Sequence, residues 1–155
     1  MFQISALPKN RFEHLFGLTD EELNAHRALR RTATQKPGFP CRVSLQDAEP
    51  GEEVLLVHFE HQSENTPFRS SHAVYVRPSA TEARLQAGEV PELLRSRTLS
   101  LRAFDADGMM IDAGLIEGSK VEREIERQLA QSATRYIHVH SALPGCYIAR
   151  VDRIR

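Results

Sequence analysis

The residues best able to do chemistry are concentrated near the C-terminus, in Tyr136-Ile137-His138-Val139-His140-Ser141-Ala142-Leu143-Pro144-Gly145-Cys146-Tyr147-Ile148-Ala149-Arg150. Strand alternation places His138 and His140 on one face, with Ile137 and Val139 on the other. Matching apolar faces registers the returning strand: Val139 opposite Ala149 and Ile137 opposite Val151. His140 then opposes Ile148, His138 opposes Arg150 and Cys146 opposes Ala142. A loop of Leu143-Pro144-Gly145 remains, ending in glycine where such loops require a left-handed residue. This register sets Cys146 on the imidazole face, and a slip of one residue would send it to the other. A thiol beside histidine or arginine can lose its proton easily and act as a nucleophile or ligand. The competing reading is a small packing residue near a turn, with half-buried strand histidines.

His-x-His on a strand can set two nitrogens on one metal ion, with Cys41, Cys146, His58 or His61 as further ligands. His58 and His61 point to opposite faces of a regular strand, so only a strand end or bulge brings both to one site. Neither cysteine lies in a C-x-x-C pair and no carboxylate sits at an evident metal spacing. No metal ligand is therefore assigned. Anion recognition has its own candidates. In Arg97-Thr98-Leu99-Ser100-Leu101-Arg102-Ala103-Phe104, Ser100 and Arg102 share a face and offer a hydroxyl and a forked donor to one cluster of oxygens. Arg69, Arg42 and Arg77 are further candidates, each with an ordinary ion pair as its alternative. No Walker loop, G-x-G-x-x-G or G-x-S-x-G pattern occurs.

The elements that must position these residues are legible in part. The chain has 155 residues, 41% hydrophobic and 26% charged, with a formal charge of −1, which fits one globular domain over 1–155. A near-neutral charge and 6% aromatics exclude a general nucleic-acid binder, which needs a basic footprint and stacking platforms. No apolar run is long enough to span a bilayer. The N-terminus lacks an export signal, so cytoplasmic residence and reduced cysteines are expected. Thr19 and Glu22 form a capping box for a helix predicted to run to about Arg31. Strands are predicted near Cys41–Gln46, Glu53–Glu60, Ala73–Arg77, Thr98–Asp105, Met110–Glu117, Tyr136–Ser141 and Cys146–Arg153. Asp105-Ala106-Asp107-Gly108 reads as a hairpin turn, and Pro91 as opening a short helix through Arg95. A second main helix is predicted from a Ser119/Glu122 capping box, with Val121, Ile125 and Leu129 forming its apolar stripe. The expected fold is α+β: a mainly antiparallel sheet with two substantial helices packed on it.

Read together, Pro37-Gly38-Phe39-Pro40-Cys41-Arg42, Glu52 to His61, Pro67-Phe68-Arg69, Leu99 to Asp105, His138 to Ala142 and Gly145-Cys146 resemble the bacterial family called domain of unknown function 1203. The resemblance runs from about Phe2 to Arg153. It implies that Cys41, Arg42, His61, Arg69, Arg102, His140 and Cys146 are recurring motif positions, and it implies no activity. The leading expectation is a pocket that binds, and could transform, a small anionic metabolite. In it Arg102, with Arg69 or Arg42, holds the anion; His140 transfers a proton; and Cys146 is a nucleophile or redox thiol. Cys41, His61, His138 and Ser100 support them. The alternative is a non-catalytic protein whose Cys and His residues bind a metal or only pack. The sequence names no cofactor, and an exposed edge strand could pair two copies into a homodimer.

Overall fold

A computed structural model describes all 155 residues. In chain order the elements are β1 (Phe2–Ser5), α1 (Asp20–Ala25), β2 (Ala28–Thr32), β3 (Glu53–Gln62), β4 (Ser70–Val76), α2 (Glu92–Arg95), β5 (Thr98–Phe104), β6 (Met110–Glu117), α3 (Val121–Leu129), β7 (Tyr136–Ser141) and β8 (Tyr147–Arg153). They form two sheets: five strands in the order β1-β8-β7-β5-β6, and three in the order β2-β3-β4. Every strand pair is antiparallel. No helix is long and apolar enough to cross a membrane.

Alternating apolar residues explain the layers. Leu99, Leu101 and Ala103 of β5, Ile137 and Val139 of β7, and Ala149 and Val151 of β8 join Leu93 and Leu94 of α2 and Val121 and Ile125 of α3 in one buried cluster. Each such branched side chain removed from water contributes about 1.5–3 kcal/mol before its ordering entropy is counted. A second cluster joins Phe12, Leu15 and Leu23 to Val57 and Phe59 of β3, Val74 of β4 and Tyr147 of β8. One face of the five-stranded sheet is thus covered by helices, and the other looks toward the three-stranded sheet.

The antiparallel sheets agree with the expected class, but two substantial helices do not form. Only α3, of nine residues, is long. The Thr19/Glu22 capping box is made, with Thr19 Oγ1 accepting from Glu22 N at 3.2 Å and Glu22 Oε1 from Thr19 N at 3.1 Å. The helix nevertheless stops at Ala25, and Arg27 turns left-handed at φ 57°. Ala28 to Thr32, predicted as its last turns, instead pair with β3, Ala28 opposite Val57 and Thr32 opposite Glu53. Pairing an otherwise open strand edge outweighs the helix propensity of Leu-Arg-Arg. The Ser119/Glu122 box is absent: Gly118–Lys120 is a 3-10 turn, and Lys120 caps α3 without a side-chain bond. Cys41–Gln46 is a turn rather than a strand: Pro40 bridges Asp47 across it, and Cys41 bridges Tyr75 of β4. The other predicted strands lie within a few residues of their expected ends, and the strand Phe2–Ser5 was not expected.

The junction of α2 and α3 is tight. Gly118 N–H donates to Arg97 O at 2.7 Å, and a Cβ on Gly118 would lie 1.8 Å from Leu94 O. Backbone cannot yield as a side chain can, so Gly118→Ala is expected to destabilise the protein by about 2–4 kcal/mol. Urea unfolding checks this as a lowered midpoint with an unchanged slope; an unchanged midpoint would show that the two helices are not packed this closely.

Candidate functional site

β7 lies inside the five-stranded sheet between β8 and β5. Its apolar residues Ile137 and Val139 enter the helix-side core, so His138 and His140 turn to the opposite face, and both are buried. On β5, Ser100 stands directly across from His140 and Arg102 directly across from His138. His61 arrives from the other sheet, in phase with Val57 and Phe59, whose side chains belong to the second core. His58, of opposite parity, is exposed. Each of His61, His138 and His140 offers a ring nitrogen, and these nitrogens all lie within 4.8 Å of one another. The His61 and His140 ring centroids are 4.9 Å apart, nearly perpendicular at 82°.

Two irregularities in strand pairing shape the surroundings. On β3 the register passes from Glu60–Ser71 to Gln62–Ser70, leaving His61 as the extra residue of a bulge. Gln62 therefore faces inward as well, and its Nε2 donates to Tyr136 Oη at 2.9 Å. Between β7 and β8, the predicted pairs Ile137–Val151, His138–Arg150 and Val139–Ala149 form, but His140 then faces Tyr147 and not Ile148. The expected opposition of Cys146 and Ala142 is lost with it, because Ser141 N–H donates to Cys146 O at 2.9 Å. Tyr147 thereby takes the imidazole face, its ring stacked on His61 at 5.8 Å and 8°. Cys146 precedes β8, is an electrostatic neighbour of Arg42, and does not join the histidine group. The loop glycine is left-handed as expected, Gly145 having φ 79°.

The electrostatics keep the imidazoles neutral. His140 Nδ1 lies 2.9 Å from Gly145 O; a carbonyl can only accept, so the proton sits on Nδ1 and the Nε2 lone pair is free. Burial, against an opposing bond to Gly145 and with Arg102 adding repulsion, pulls the pKa of His140 down to about 3. Burial and then the neighbouring His140 and His61 bring His138 to about 3. Burial and then Arg102 bring His61 to about 4. Nδ1 of His61 and Nδ1 of His138 are buried and have no hydrogen-bond partner.

Most of the remaining sequence candidates lie apart from the histidines, Cys41 and Cys146 both being electrostatic neighbours of Arg42. Arg42 is buried under the sheets, donating from Nε to Tyr147 O at 2.7 Å and from Nη1 to Pro40 O at 2.5 Å; desolvation pulls its pKa to about 10. Its donors to those two carbonyls pin the start of β8 rather than face a ligand. Arg69 pairs with Glu60 at 3.2 Å. Cys41 is wholly buried, its Sγ accepting from Arg77 N at 3.3 Å and Ser44 N at 3.5 Å. Arg102 and Ser100 stay beside the histidines. Tyr147, Tyr136 and Gln62, which wall the cluster, were not singled out from the sequence; the two bulges bring in Tyr147 and Gln62, while Tyr136 shares the face of His138 and His140 by alternation. The larger concavities are elsewhere, one of about 720 Å³ being lined by Ser44, Asp47, Arg77, Ser79, Arg84 and Glu92. A second, of about 560 Å³, lies over Leu115, Lys120 and Arg127. Neither opens on the triad.

Neutral burial makes a pH signature. In the unfolded chain these imidazoles take protons near the ordinary 6.5, while in the fold they refuse them until about pH 3–4. The unfolded state binds more protons in that window, so stability is complete above about pH 6.5 and is lost as pH falls. Metal-free protein should hold one urea midpoint from about pH 8 to 7. Below 6.5 it should weaken with a slope approaching roughly 1.4 kcal/mol per pH unit for each buried imidazole. His138→Gln should flatten that slope; a midpoint indifferent to pH between about 7 and 5 would mean the rings are exposed or charged in the fold.

Comparison with known proteins adds one relation. No curated protein and no solved structure matches the chain. Residues 38–153, which hold all three histidines together with Ser100, Arg102 and Tyr147, match a family described as protein of unknown function (DUF1203). With three quarters of its length so matched, the chain belongs to that family.

Proposed function

We propose that His61, His138 and His140 form a binding centre for a divalent transition-metal ion, and that the function of the protein is exercised through that ion. The observation that carries this reading is the meeting of three uncharged imidazoles from two sheets, their ring nitrogens within 4.8 Å of one another. A tetrahedral ion with nitrogens at about 2.0–2.1 Å holds them about 3.4 Å apart, so small ring rotations close the gap. Neutral nitrogen donors suit zinc, copper, nickel or iron rather than calcium or magnesium. Three protein ligands also leave a coordination position open. The bond from His140 Nδ1 to Gly145 O is the outer contact that usually orients a ligating histidine and fixes its tautomer.

This reading is favoured over a thiol-centred pocket for a metabolite. The three ring nitrogens converge at distances an ion can bridge, and neither cysteine sulfur joins that group. Depressed basicity helps as well, since a metal need not displace protons from imidazoles that are already neutral.

Chelator-treated, reduced protein titrated with Co2+ and then Zn2+, followed by visible absorption and calorimetry, tests the reading. About one ion per chain is expected. Structural zinc sites with four ligands bind with roughly 10–16 kcal/mol, or about 3 kcal/mol per ligand. His138→Ala and His140→Ala should therefore each weaken binding on the order of 100-fold. His58→Ala should leave it unchanged. No binding tighter than about 100 µM, or binding indifferent to the two β7 substitutions in folded protein, would overturn the proposal.

A further inference from the structure

The arginines of the two sheets and their loops differ in what they are attached to. Arg150, directly across from His138 on β8, is held by Asp152 at 2.8 Å. Arg69 is held by Glu60 at 3.2 Å, Arg77 by Glu52 at 2.6 Å and Arg97 by Asp47 at 2.6 Å. Arg42 spends its donors on two carbonyls. Arg102 has no acidic partner: its one side-chain bond runs from Nε to Ser100 Oγ at 3.4 Å. It is half-buried, and burial alone lowers its pKa. It shares a strand face with Ser100, across from His138 and His140.

Resting on the metal reading, we infer that the open coordination position takes a small carboxylate or comparable oxyanion, one oxygen on the ion and another on the Arg102 guanidinium, with the Ser100 hydroxyl as a further donor. Charge requires it. Three neutral ligands leave a divalent ion with its whole charge, and Arg102 adds one more on the same face. Glu60, a neighbour of His61, and Asp152, a neighbour of Tyr147, are committed to Arg69 and Arg150. Unbalanced cations removed from water are strongly unfavourable, and an anion bridging them relieves both. A guanidinium fork matches a carboxylate by its planar pair of donors. Ser100 Oγ accepts from Arg102, so its own proton stays free to donate.

The consequence is reciprocal coupling: the anion raises metal affinity, and the metal raises anion affinity by the same factor. Without the anion, Arg102 repels the ion. The experiment measures Co2+ binding to full-length protein with and without saturating acetate, with bicarbonate and phosphate as separate arms and chloride held constant. Acetate should tighten Co2+ binding about 10-fold and shift the cobalt absorption bands. Arg102→Gln should bind Co2+ at least as well as the parent in the absence of acetate, because a repelling charge is gone, and should lose the enhancement. Arg102→Lys should keep a reduced part of it as a point charge. If Co2+ binds the parent equally with and without each anion, the inference fails and the metal reading stands. If Co2+ does not bind at all, the metal reading falls and takes the inference with it.

Discussion

The histidine cluster depends on how β-pairing is interrupted. A regular strand sends alternate side chains to alternate faces, so two packed sheets fill the space between them with every second residue. Around the histidines the rule is broken at His61 in β3 and next to Tyr147 in β8, apart from a further shift at the Phe104 end of β5 and β6. The first break lets Gln62 follow His61 inward. The second sends Tyr147 toward the imidazoles while Ile148 and Ala149 both enter the helix-side core. Without the extra residues the same sheets would still pack, but with an incomplete wall around His138 and His140. Burial of the rings follows from that wall, and their neutrality follows from burial.

What could be read beforehand divides along the same line. β6 and β7 match their expected bounds, because alternation and turn residues are local properties. The pairing of Val139 with Ala149 follows from matching apolar faces, and the left-handed Gly145 from the loop it closes. The slip at His140 had no local sign, since Cys146-Tyr147-Ile148 alternates equally well in either register. That one-residue slip decided that His140 faces Tyr147 and not Ile148. Ala28-Leu29-Arg30-Arg31 is a good helical sequence that became a strand because β3 had an edge to cover. His-x-His showed two thirds of the cluster; the third member lies far earlier in the chain, and its parity, opposite to that of His58, was readable although its destination was not.

The arginine-rich composition acquires meaning only in three dimensions. Seventeen arginines against three lysines say little by themselves. In the fold they separate by partner. Arg97 and Asp47 form a largely buried pair, with side chains only 15% and 8% exposed, that ties the start of β5 to the turn before β3. Such a pair need not stabilise much beyond an apolar equivalent, but it fixes one arrangement, since removing either member strands the other charge. Arg42 does similar work with carbonyls alone, its fork joining Pro40 to Tyr147 across the two sheets. Arg102 alone has a charged end beside the triad and no fold-supplied acid to satisfy it.

Packing by itself is a poor account of three imidazoles in contact. His61 stacks on Tyr147, and His138 meets the same ring edge-on at 5.1 Å, contacts that phenylalanine or leucine would make without orphaned nitrogens. A buried acceptor or donor left unpaired costs about 1–3 kcal/mol, and two such nitrogens remain. One water cannot satisfy the set when all three rings present lone pairs, for it has only two protons to donate. A ring of His61 or His138 can turn its N–H toward the water only by moving its lone pair to the opposite nitrogen, which then needs a donor of its own. His140 has no such freedom in any case, its proton being held on Nδ1 by Gly145 O. The metal ion proposed for this site would accept three lone pairs at once and leave each ring's N–H for another partner, as Nδ1 of His140 has Gly145 O.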